Sequence, residues 1–504
     1  MSVLSQPTRL EQQSDSSGTG ELSARLFAAA AWTCCGWALS RAANVVALVY
    51  AARVLGKVSY GHYAIAQAAL GVFSLVGAIG LGTTAARYVS HLRKREPVRA
   101  GRVAALLATA AAFCGVFMAV AQWWLPGYLA SYPPPLRFLV RLSAPAVLMY
   151  SIDGVVTGIL SGLECFRSLA LASAVQGMVM VAATALLTPR FGVEGAVAAL
   201  VLAATVAALT DCTLLYREIR RKKFLFCLAG SFGERGVLFE FSLPATLNSV
   251  VLSGTYLLCL SWMGSSSAAT GAAGVFGLGR QIGMWVQVVP QIVLRATLPV
   301  LSERLSSDRS DASRILATTH GLYMFSCFPL AAIVICSARP LLALALPAFR
   351  EARVPLAVLV LASAFGVARG ASELLLVADG RAWTNFFVST SWNAFMLAGA
   401  LLVAKGQSVT LACLATALGL FLAASVGNRL ARVSREWNPA WTDLCMVSLA
   451  AVTLISSVVH LSPVSLVVGL VFAVGCYRFF PAGVRSSVRS WTKYSCRLAG
   501  AREC

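Results

Sequence analysis

Apolar segments of about twenty residues recur along almost the whole chain, and this recurrence constrains the fold more than any other feature. Of the residues, 58% are hydrophobic and only 12% are charged, whereas soluble globular chains carry about 25% charged residues. The first apolar segment covers residues 26–52 and the last covers residues 464–476. The sequence therefore predicts an all-α polytopic membrane protein with about fourteen transmembrane helices.

The order of these segments predicts two pseudo-symmetric six-helix lobes followed by a C-terminal helix pair. Tyr60-Gly61 opens the second segment and Ala273-Gly274 opens the eighth, a separation of about 213 residues that is typical of repeated halves in membrane proteins. Chance similarity between apolar helices is the alternative. The predicted divisions are a disordered cytoplasmic tail at 1–22, a first lobe at 23–225, a second lobe at 226–432, an extra hairpin at 433–480 and a basic cytoplasmic tail at 481–504.

The formal net charge is +21, and its positive residues gather in short loops between apolar segments, notably at residues 93–95 and 220–223. Loops rich in Lys and Arg stay in the cytoplasm. We therefore expect both termini to be cytoplasmic. This topology explains the excess of positive charge, so no nucleic acid partner is predicted.

The same loops are too short to hold a soluble catalytic domain. The 14 cysteines lie mostly within apolar segments and none has the spacing of a zinc site. The chain contains no phosphate-binding Gly-x-x-x-x-Gly-Lys-Ser/Thr loop and no Gly-x-Ser-x-Gly elbow. We predict no catalytic residues, no metal and no cofactor, and hence a protein that is not an enzyme.

A guanidinium lies in the first apolar segment at Arg41, with Asn44 three residues later. A charged side chain at the centre of a bilayer costs roughly 2.5–3.5 kcal/mol on insertion scales, so it normally faces a polar cavity or a partner. Arg41 and Asn44 share one helix face and together suit a phosphate group. The alternative is a structural ion pair between Arg41 and Asp153, a carboxylate in the fourth segment that is also a candidate for ion coupling.

Two further arginines lie in apolar segments of the second half. Arg280 follows Gly277 and Gly279, and flanking glycines permit close backbone approach. We predict that Arg280 lines the same cationic cavity, with snorkelling to the membrane surface as the alternative.

Arg369 lies four residues before Glu373. One interpretation is an intrahelical ion pair. The other places Arg369 in the cationic cavity and gives Glu373 a coupling proton. Both interpretations remain open from the sequence.

Two prolines interrupt apolar segments of the second half, Pro244 in the seventh and Pro290 in the eighth. Proline removes a backbone hydrogen bond and kinks or breaks a helix. We predict gating kinks at both positions, with simple tolerated kinks as the alternative.

The first segment contains Arg41-x-x-Asn44, and Leu55-Gly56 and Tyr60-Gly61 follow it. With the stretches 158–167 and 272–280, these motifs resemble the polysaccharide flippase (Wzx-like) proteins of the multidrug/oligosaccharidyl-lipid/polysaccharide exporter superfamily. The likeness covers most of the chain in order and hydropathy. The chain departs from the pattern at residues 256–263, which are uncharged where the family often carries a charge.

The resemblance implies two six-helix lobes around a central cavity in the bacterial inner membrane. It implies a flippase that moves a polyprenyl-diphosphate-linked oligosaccharide to the outer leaflet by alternating access. Antiport of H⁺ or Na⁺ would drive the movement, for surface polysaccharide biosynthesis. The implied partners are this lipid-linked anionic glycan, membrane lipids, a polysaccharide polymerase and a chain-length regulator.

Three other functions remain to be weighed. A cation-coupled multidrug exporter of the same superfamily would favour buried carboxylates, whereas the cavity candidates here are mostly arginines. A membrane glycan polymerase or ligase would usually carry a large outward loop, and the predicted outward loops are short. A scaffold without transport gains nothing from intramembrane charges, which are costly to insert.

Overall fold

The computed structural model describes ten stretches of the chain, and within them the fold is almost entirely α-helical. The described residues are 9–78, 80–93, 96–128, 133–222, 243–265, 271–288, 290, 309–378, 381–431 and 439–458.

Seven helices belong to the first part of the chain: α1 Arg9–Ala78, α2 Leu81–Leu92, α3 Pro97–Tyr128, α4 Pro134–Gly162, α5 Phe166–Lys222, α6 Leu243–Ser265 and α7 Ala272–Val286. The described remainder contains α8 Arg309–Cys336, α9 Ala338–Ala345, a 3₁₀ turn at Pro347–Ala352, α10 Arg353–Ala378, α11 Ala382–Ala404, α12 Val409–Leu430 and α13 Pro439–Val458.

Seven helical stretches within the described residues are long and apolar enough to cross a membrane, or eight if the bent pair α8–α9 counts as one span. Two of them, Ala38–Leu92 and Phe166–Arg221, run for 55 and 56 residues, more than twice the roughly 20 that one crossing needs. The all-α polytopic class is therefore confirmed. The number of fourteen spans stays a prediction, because the last predicted segment lies outside the described residues.

Each of the two longest helices breaks at a glycine. Gly56 within α1 has φ 71° and Gly192 within α5 has φ 58°. Residues with a Cβ rarely adopt such backbone angles, so glycine supplies the break in both helices. The breaks fall between the first and second predicted segments and between the fifth and sixth, so each long helix has two legs.

The chain divides into two compact units. Unit 1 comprises Met1–Leu48, Phe73–Leu125 and Arg141–Thr246, and unit 2 comprises Val49–Val72, Pro126–Val140 and Leu247–Cys504. The region around the Gly56 break therefore belongs to unit 2, although it falls within the predicted first lobe of 23–225. The predicted tail 1–22 overlaps the start of α1 at Arg9, and the predicted tail 481–504 lies outside the described residues.

Unit 1 has an apolar core that α2, α3 and α4 build together. Leu81, Leu107 and Ile159 are among its fully buried members. A Cβ on Gly158 of α4 would collide with the backbone carbonyl of Gly82 in α2. The glycine run of α4 thus lets two helices touch backbone to backbone, the packing role that small residues play in membranes.

Unit 2 is organised around α10, which contacts α7, α8, α9, α11, α12 and α13. Its candidate span, Pro347–Gly370, is 72% buried within the protein, against 50% or less for the other six. A helix that is apolar on all sides and enclosed in this way serves as the centre of a helical core. Side chains on α10 therefore meet other helices rather than lipid.

The second leg of α1 packs on α7 in unit 2 through paired glycines. A Cβ on Gly274 would collide with the carbonyl oxygen of Lys57 and would lie 3.2 Å from the amide nitrogen of Gly61. These two glycines belong to the two motifs that suggested an internal repeat. The contact brings the start of the second segment against the start of the eighth.

The close approach at Gly274 gives the first testable prediction. Gly274→Ala should lower the stability of the folded protein by about 1–3 kcal/mol, the usual cost of overpacking a close contact. Thermal unfolding of the detergent-solubilised protein measures the effect.

Gly254→Ala in α6 is the matched control, because no atom of another part of the described structure lies within 4 Å of the position that its Cβ would occupy. This variant should unfold at or slightly above the wild-type temperature, since alanine has a higher helix propensity than glycine. Equal unfolding temperatures for the two variants would contradict the packing interpretation.

Candidate functional site

Arg280 lies on α7 and stacks on an aromatic ring of α6. Its guanidinium carbon is 4.4 Å from the centroid of the Tyr256 ring, and the arginine is half-buried. Stacking of this kind is a cation–π interaction worth about 0.5–2 kcal/mol, depending on desolvation. It fixes the plane of the guanidinium and leaves the N–H groups along its edge available.

Within the part of the chain that the structure describes, Arg280 forms no ion pair and donates no hydrogen bond. Its electrostatic neighbours are Tyr256 and Cys259. A half-buried guanidinium with unused donors is expensive unless water or a ligand satisfies them. The arrangement is therefore suited to an oxyanion such as a phosphate or carboxylate, which offers two oxygens to the two parallel N–H groups of a guanidinium.

Gln281, the next residue of α7, adds a second polar group. Its Nε2 donates to the Oε1 of Gln67, on the second leg of α1, at 3.1 Å. Both amides are half-buried and keep further donors and acceptors for hydroxyl groups. Arg280 with Tyr256 and Gln281 with Gln67 are two polar pairs on adjacent residues of α7, and together these four residues are named the Arg280 cluster.

Sequence reasoning identified Arg280 but missed Tyr256. The stretch 256–263 stood out only because it is uncharged. A tyrosine in an apolar segment carries no signal of its own, and its role becomes visible only when α6 and α7 are placed side by side.

Arg369 on α10 is buried and its donors are engaged. Nη2 donates to Oε2 of Glu373 at 2.6 Å, and Nη1 donates to Oγ of Ser389 on α11 at 2.6 Å. The intrahelical ion pair suggested by the i, i+4 spacing is thus present. A neutralised arginine has less attraction for an anion than Arg280, so the predicted role of Arg369 in a cationic cavity receives no support from this geometry.

The neighbourhood of this pair contains a polar stripe that the sequence analysis did not single out. Asn385, Ser389 and Asn393 recur every four residues along α11, and all three are buried. Among the described residues, the amide oxygens of Asn385 and Asn393 have no hydrogen-bond partner. The four-residue spacing of small polar residues in an apolar helix was the available signal.

Arg41 and Asn44 lie on the first leg of α1 in unit 1. Arg41 is exposed and Asn44 is half-buried. The Asn44 Nδ2 donates to the backbone carbonyl of Ser40 at 2.8 Å, so part of the amide is turned back onto its own helix. These two residues belong to a different unit from Arg280 and Arg369.

Asp153 on α4 has a carboxyl group as a neighbour. Its side chain is within hydrogen-bonding reach of Asp211, on the second leg of α5. The ion pair between Asp153 and Arg41 considered in the sequence analysis stays a prediction. The sequence analysis missed Asp211, a carboxylate in the sixth apolar segment, and its position within an apolar run was the signal for it.

The two prolines differ in what the structure describes. Pro244 is the second residue of α6. The kink predicted there stays a prediction, because the residues before Leu243 lie outside the described part of the chain. Pro290 lies four residues beyond Val286, where α7 ends with Gln287 as its C-cap. Pro290 has no N–H group to donate to the carbonyl four residues earlier, and its ring clashes with that carbonyl. This accounts for the end of α7 at Val286.

Residues 26–304 match the sequence profile of a family described as polysaccharide biosynthesis protein. No curated protein sequence matches the chain.

Solved structures share its fold. The lipid II flippase MurJ in an inward closed conformation is 11% identical in sequence, with a TM-score of 0.65. The structural match covers 90% of this chain and 97% of the MurJ chain. An inward-facing multidrug resistance MATE family transporter of the MOP superfamily is 15% identical, with a TM-score of 0.64, covering 82% and 96%. A MOP superfamily transporter from Pyrococcus furiosus is 15% identical, with a TM-score of 0.59, covering 84% and 96%. At these identities the likeness shows the fold.

The buried pair on α10 gives the second testable prediction. Glu373→Gln should lower the stability by roughly 1–3 kcal/mol, because it leaves the buried guanidinium of Arg369 without its counter-charge. The double variant Arg369→Gln/Glu373→Gln should recover part of that loss. The measurement is the unfolding temperature of the purified protein.

Glu351→Gln serves as the matched control, since it removes the carboxylate from the ion pair with Lys57, at 2.7 Å, in which the Glu351 side chain is 89% exposed. Exposed pairs contribute little, so this variant should unfold like the wild type. A Glu373→Gln protein as stable as the Glu351→Gln protein would show that the α10 pair has no structural role.

Proposed function

Since the chain belongs to the polysaccharide biosynthesis protein family, we propose that it is a flippase for a polyprenyl-diphosphate-linked oligosaccharide. It carries this lipid from the cytoplasmic to the outer leaflet by alternating access, for surface polysaccharide biosynthesis. The MOP-type fold shared with MurJ and MATE proteins supports a transport role.

The observation that carries the proposal is the Arg280 cluster. A diphosphate needs cationic hydrogen-bond donors when it leaves water, and a guanidinium offers two parallel N–H groups to one phosphate. The Tyr256 ring holds this guanidinium at 4.4 Å, so less freedom is lost when the anion binds. The amides of Gln281 and Gln67 supply neutral hydrogen-bonding groups for the sugar hydroxyls.

Alternating access requires helices that bend at fixed points. Gly56 and Gly192 break the two longest helices, and α7 ends at Val286, just before Pro290. Breaks of this kind concentrate rotation at a few residues while the helical segments stay rigid. They support a mechanism in which helix legs rearrange around the glycan lipid.

The proposal includes the setting of the protein. It resides in the bacterial inner membrane with both termini in the cytoplasm, as the basic loops indicate. An H⁺ or Na⁺ gradient drives transport by antiport. A polysaccharide polymerase and a chain-length regulator act on the glycan after its transfer.

A multidrug exporter is the rival reading, since MATE transporters share the fold. Exporters of organic cations need negative charge in the binding site, because like charges repel at short range. The half-buried charge of the Arg280 cluster has the opposite sign. This observation favours an anionic substrate.

The third testable prediction concerns translocation. In proteoliposomes with a fluorescent polyprenyl-diphosphate oligosaccharide, wild-type protein should move the lipid between leaflets. Arg280→Ala should slow this movement about tenfold to a hundredfold, the equivalent of the roughly 1.5–3 kcal/mol of a hydrogen bond to a charged group. Accessibility of the glycan to an external lectin or oxidant gives the rate.

Arg220→Ala is the matched control. Arg220 also stacks on a tyrosine, at 4.7 Å from the Tyr216 ring, but this arginine is exposed. Its loss should leave the rate unchanged. No lipid movement by the wild type, or export of organic cations in its place, would overturn the proposed function.

A further inference from the structure

Positive charge gathers at one end of unit 2, in the stretch that joins α8 to α10. Residues 338–354 contain one carboxylate and three arginines, Arg339, Arg350 and Arg353. With both termini predicted to be cytoplasmic, this stretch falls on the outward side, because nine predicted crossings precede it. Lys and Arg normally stay in cytoplasmic loops. The predicted topology therefore does not account for these outward arginines.

The neighbouring carboxylate does not neutralise this charge. Glu351 forms an ion pair with Lys57 on the second leg of α1, with 2.7 Å between Oε2 and Nζ. Arg339 and Arg350 are both exposed, and neither makes a hydrogen bond or an ion pair within the described part of the chain. Positive charge at this end of unit 2 therefore remains available to an anion.

An apolar groove lies beside these arginines. Helices α8 and α9 form a bent pair, with an angle of 61° at the break between Cys336 and Ala338. The groove follows this bend and is lined only by apolar side chains of α7, α8, α9 and α10, among them Val334, Leu342 and Ala357. Leu341, another lining residue, is 44% exposed. The groove therefore opens to the surroundings of the protein.

Two of the arginines belong to the segments that frame the groove. Arg339 directly follows Ala338, a lining residue, on α9. Arg350 lies in the 3₁₀ turn that leads from α9 to α10. Long arginine side chains lay their stems on apolar surface and keep the guanidinium in the polar region. The two unpaired charges therefore border the groove at its outward end.

Arg353 marks the same end of the groove on α10. It is half-buried, and its Nη2 donates to the backbone carbonyl of Ser456 on α13. Leu356 and Ala357, three and four residues later, share its helix face and line the groove. The polar end of the groove is thus fixed by contacts between helices and does not depend on a loop alone.

This combination matches a molecule with an anionic head and a hydrocarbon chain. A guanidinium offers two parallel N–H groups to a phosphate, and basic pockets between transmembrane helices bind lipid headgroups. A free phosphate would leave the apolar groove unfilled. A neutral lipid would leave the arginines without a counter-charge. An anionic phospholipid meets both requirements.

We propose that the groove binds one anionic phospholipid of the outer leaflet. Its phosphodiester lies between Arg339 and Arg350, and one acyl chain lies along α8 and α10. The bound lipid joins the short helix α9 to the central helix of unit 2. Binding of this lipid needs no transport, so the inference goes beyond the proposed function and stands or falls without it.

Native mass spectrometry of the full chain in detergent tests the headgroup contact. Phosphatidylglycerol should bind more tightly than phosphatidylcholine with the same chains. Arg339→Gln/Arg350→Gln should raise the Kd of the tightest phosphatidylglycerol roughly tenfold to thirtyfold, from the loss of two arginines at a membrane surface. The matched control is Arg102→Gln/Arg190→Gln, which removes the same charge from two exposed arginines of unit 1 and should keep the wild-type Kd.

A second pair of variants tests the acyl chain. Leu341→Gln places an amide on the rim of the groove and should weaken phosphatidylglycerol binding several-fold. Leu344→Gln is the matched control, because Leu344 lies on the same helix, is 79% exposed and does not line the groove. Glycerol phosphate, the headgroup without chains, should not displace the lipid. The unfolding temperature establishes that each variant is folded.

Four results would overturn the site. Equal Kd values for the two double variants would show a general attraction by net charge. Displacement by glycerol phosphate would assign the arginines to a free phosphate. Unchanged binding by Leu341→Gln would remove the acyl chain from the groove. Tighter binding of a polyprenyl-diphosphate lipid than of phosphatidylglycerol, lost in Arg339→Gln/Arg350→Gln, would make this a site for that lipid instead.

Discussion

Every backbone amide that crosses a bilayer has to find its hydrogen-bond partner within the protein, and the whole structure follows from that constraint. Long helices meet it along most of the chain. The difficulty arises where a helix must stop or turn, because several backbone groups then lose their partners. Gly56 and Gly192 solve it by turning the chain within one or two residues. The functional groups lie on the rigid legs between such points.

The two units carry charges of different character. Unit 1 holds two neighbouring carboxyl groups, those of Asp153 and Asp211. Unit 2 holds a guanidinium with unused donors at Arg280 and a neutralised one at Arg369. The acidic side chains and the two arginines therefore belong to separate sets of residues.

The sequence predicted what depends on neighbours along the chain. The apolar segments gave the helices, and the i, i+4 spacing gave the pair of Arg369 with Glu373. The sequence did not predict contacts between helices that are far apart along the chain. Tyr256 under Arg280 and Asp211 beside Asp153 have ordinary local surroundings, and their partners lie on other helices. One sequence contains no information on which residues of distant helices lie side by side.

The contact between Gly61 and Gly274 joins the two motifs whose offset predicts an internal repeat. A surface that binds its own copy is the geometry of a two-fold dimer. If the halves arose by duplication, a half-length ancestor carried both sides of this contact in one gene. Each substitution at this surface then changed both sides of the contact. Under that history, fusion would have released the halves from the restriction, so that one half could carry acidic side chains and the other an arginine.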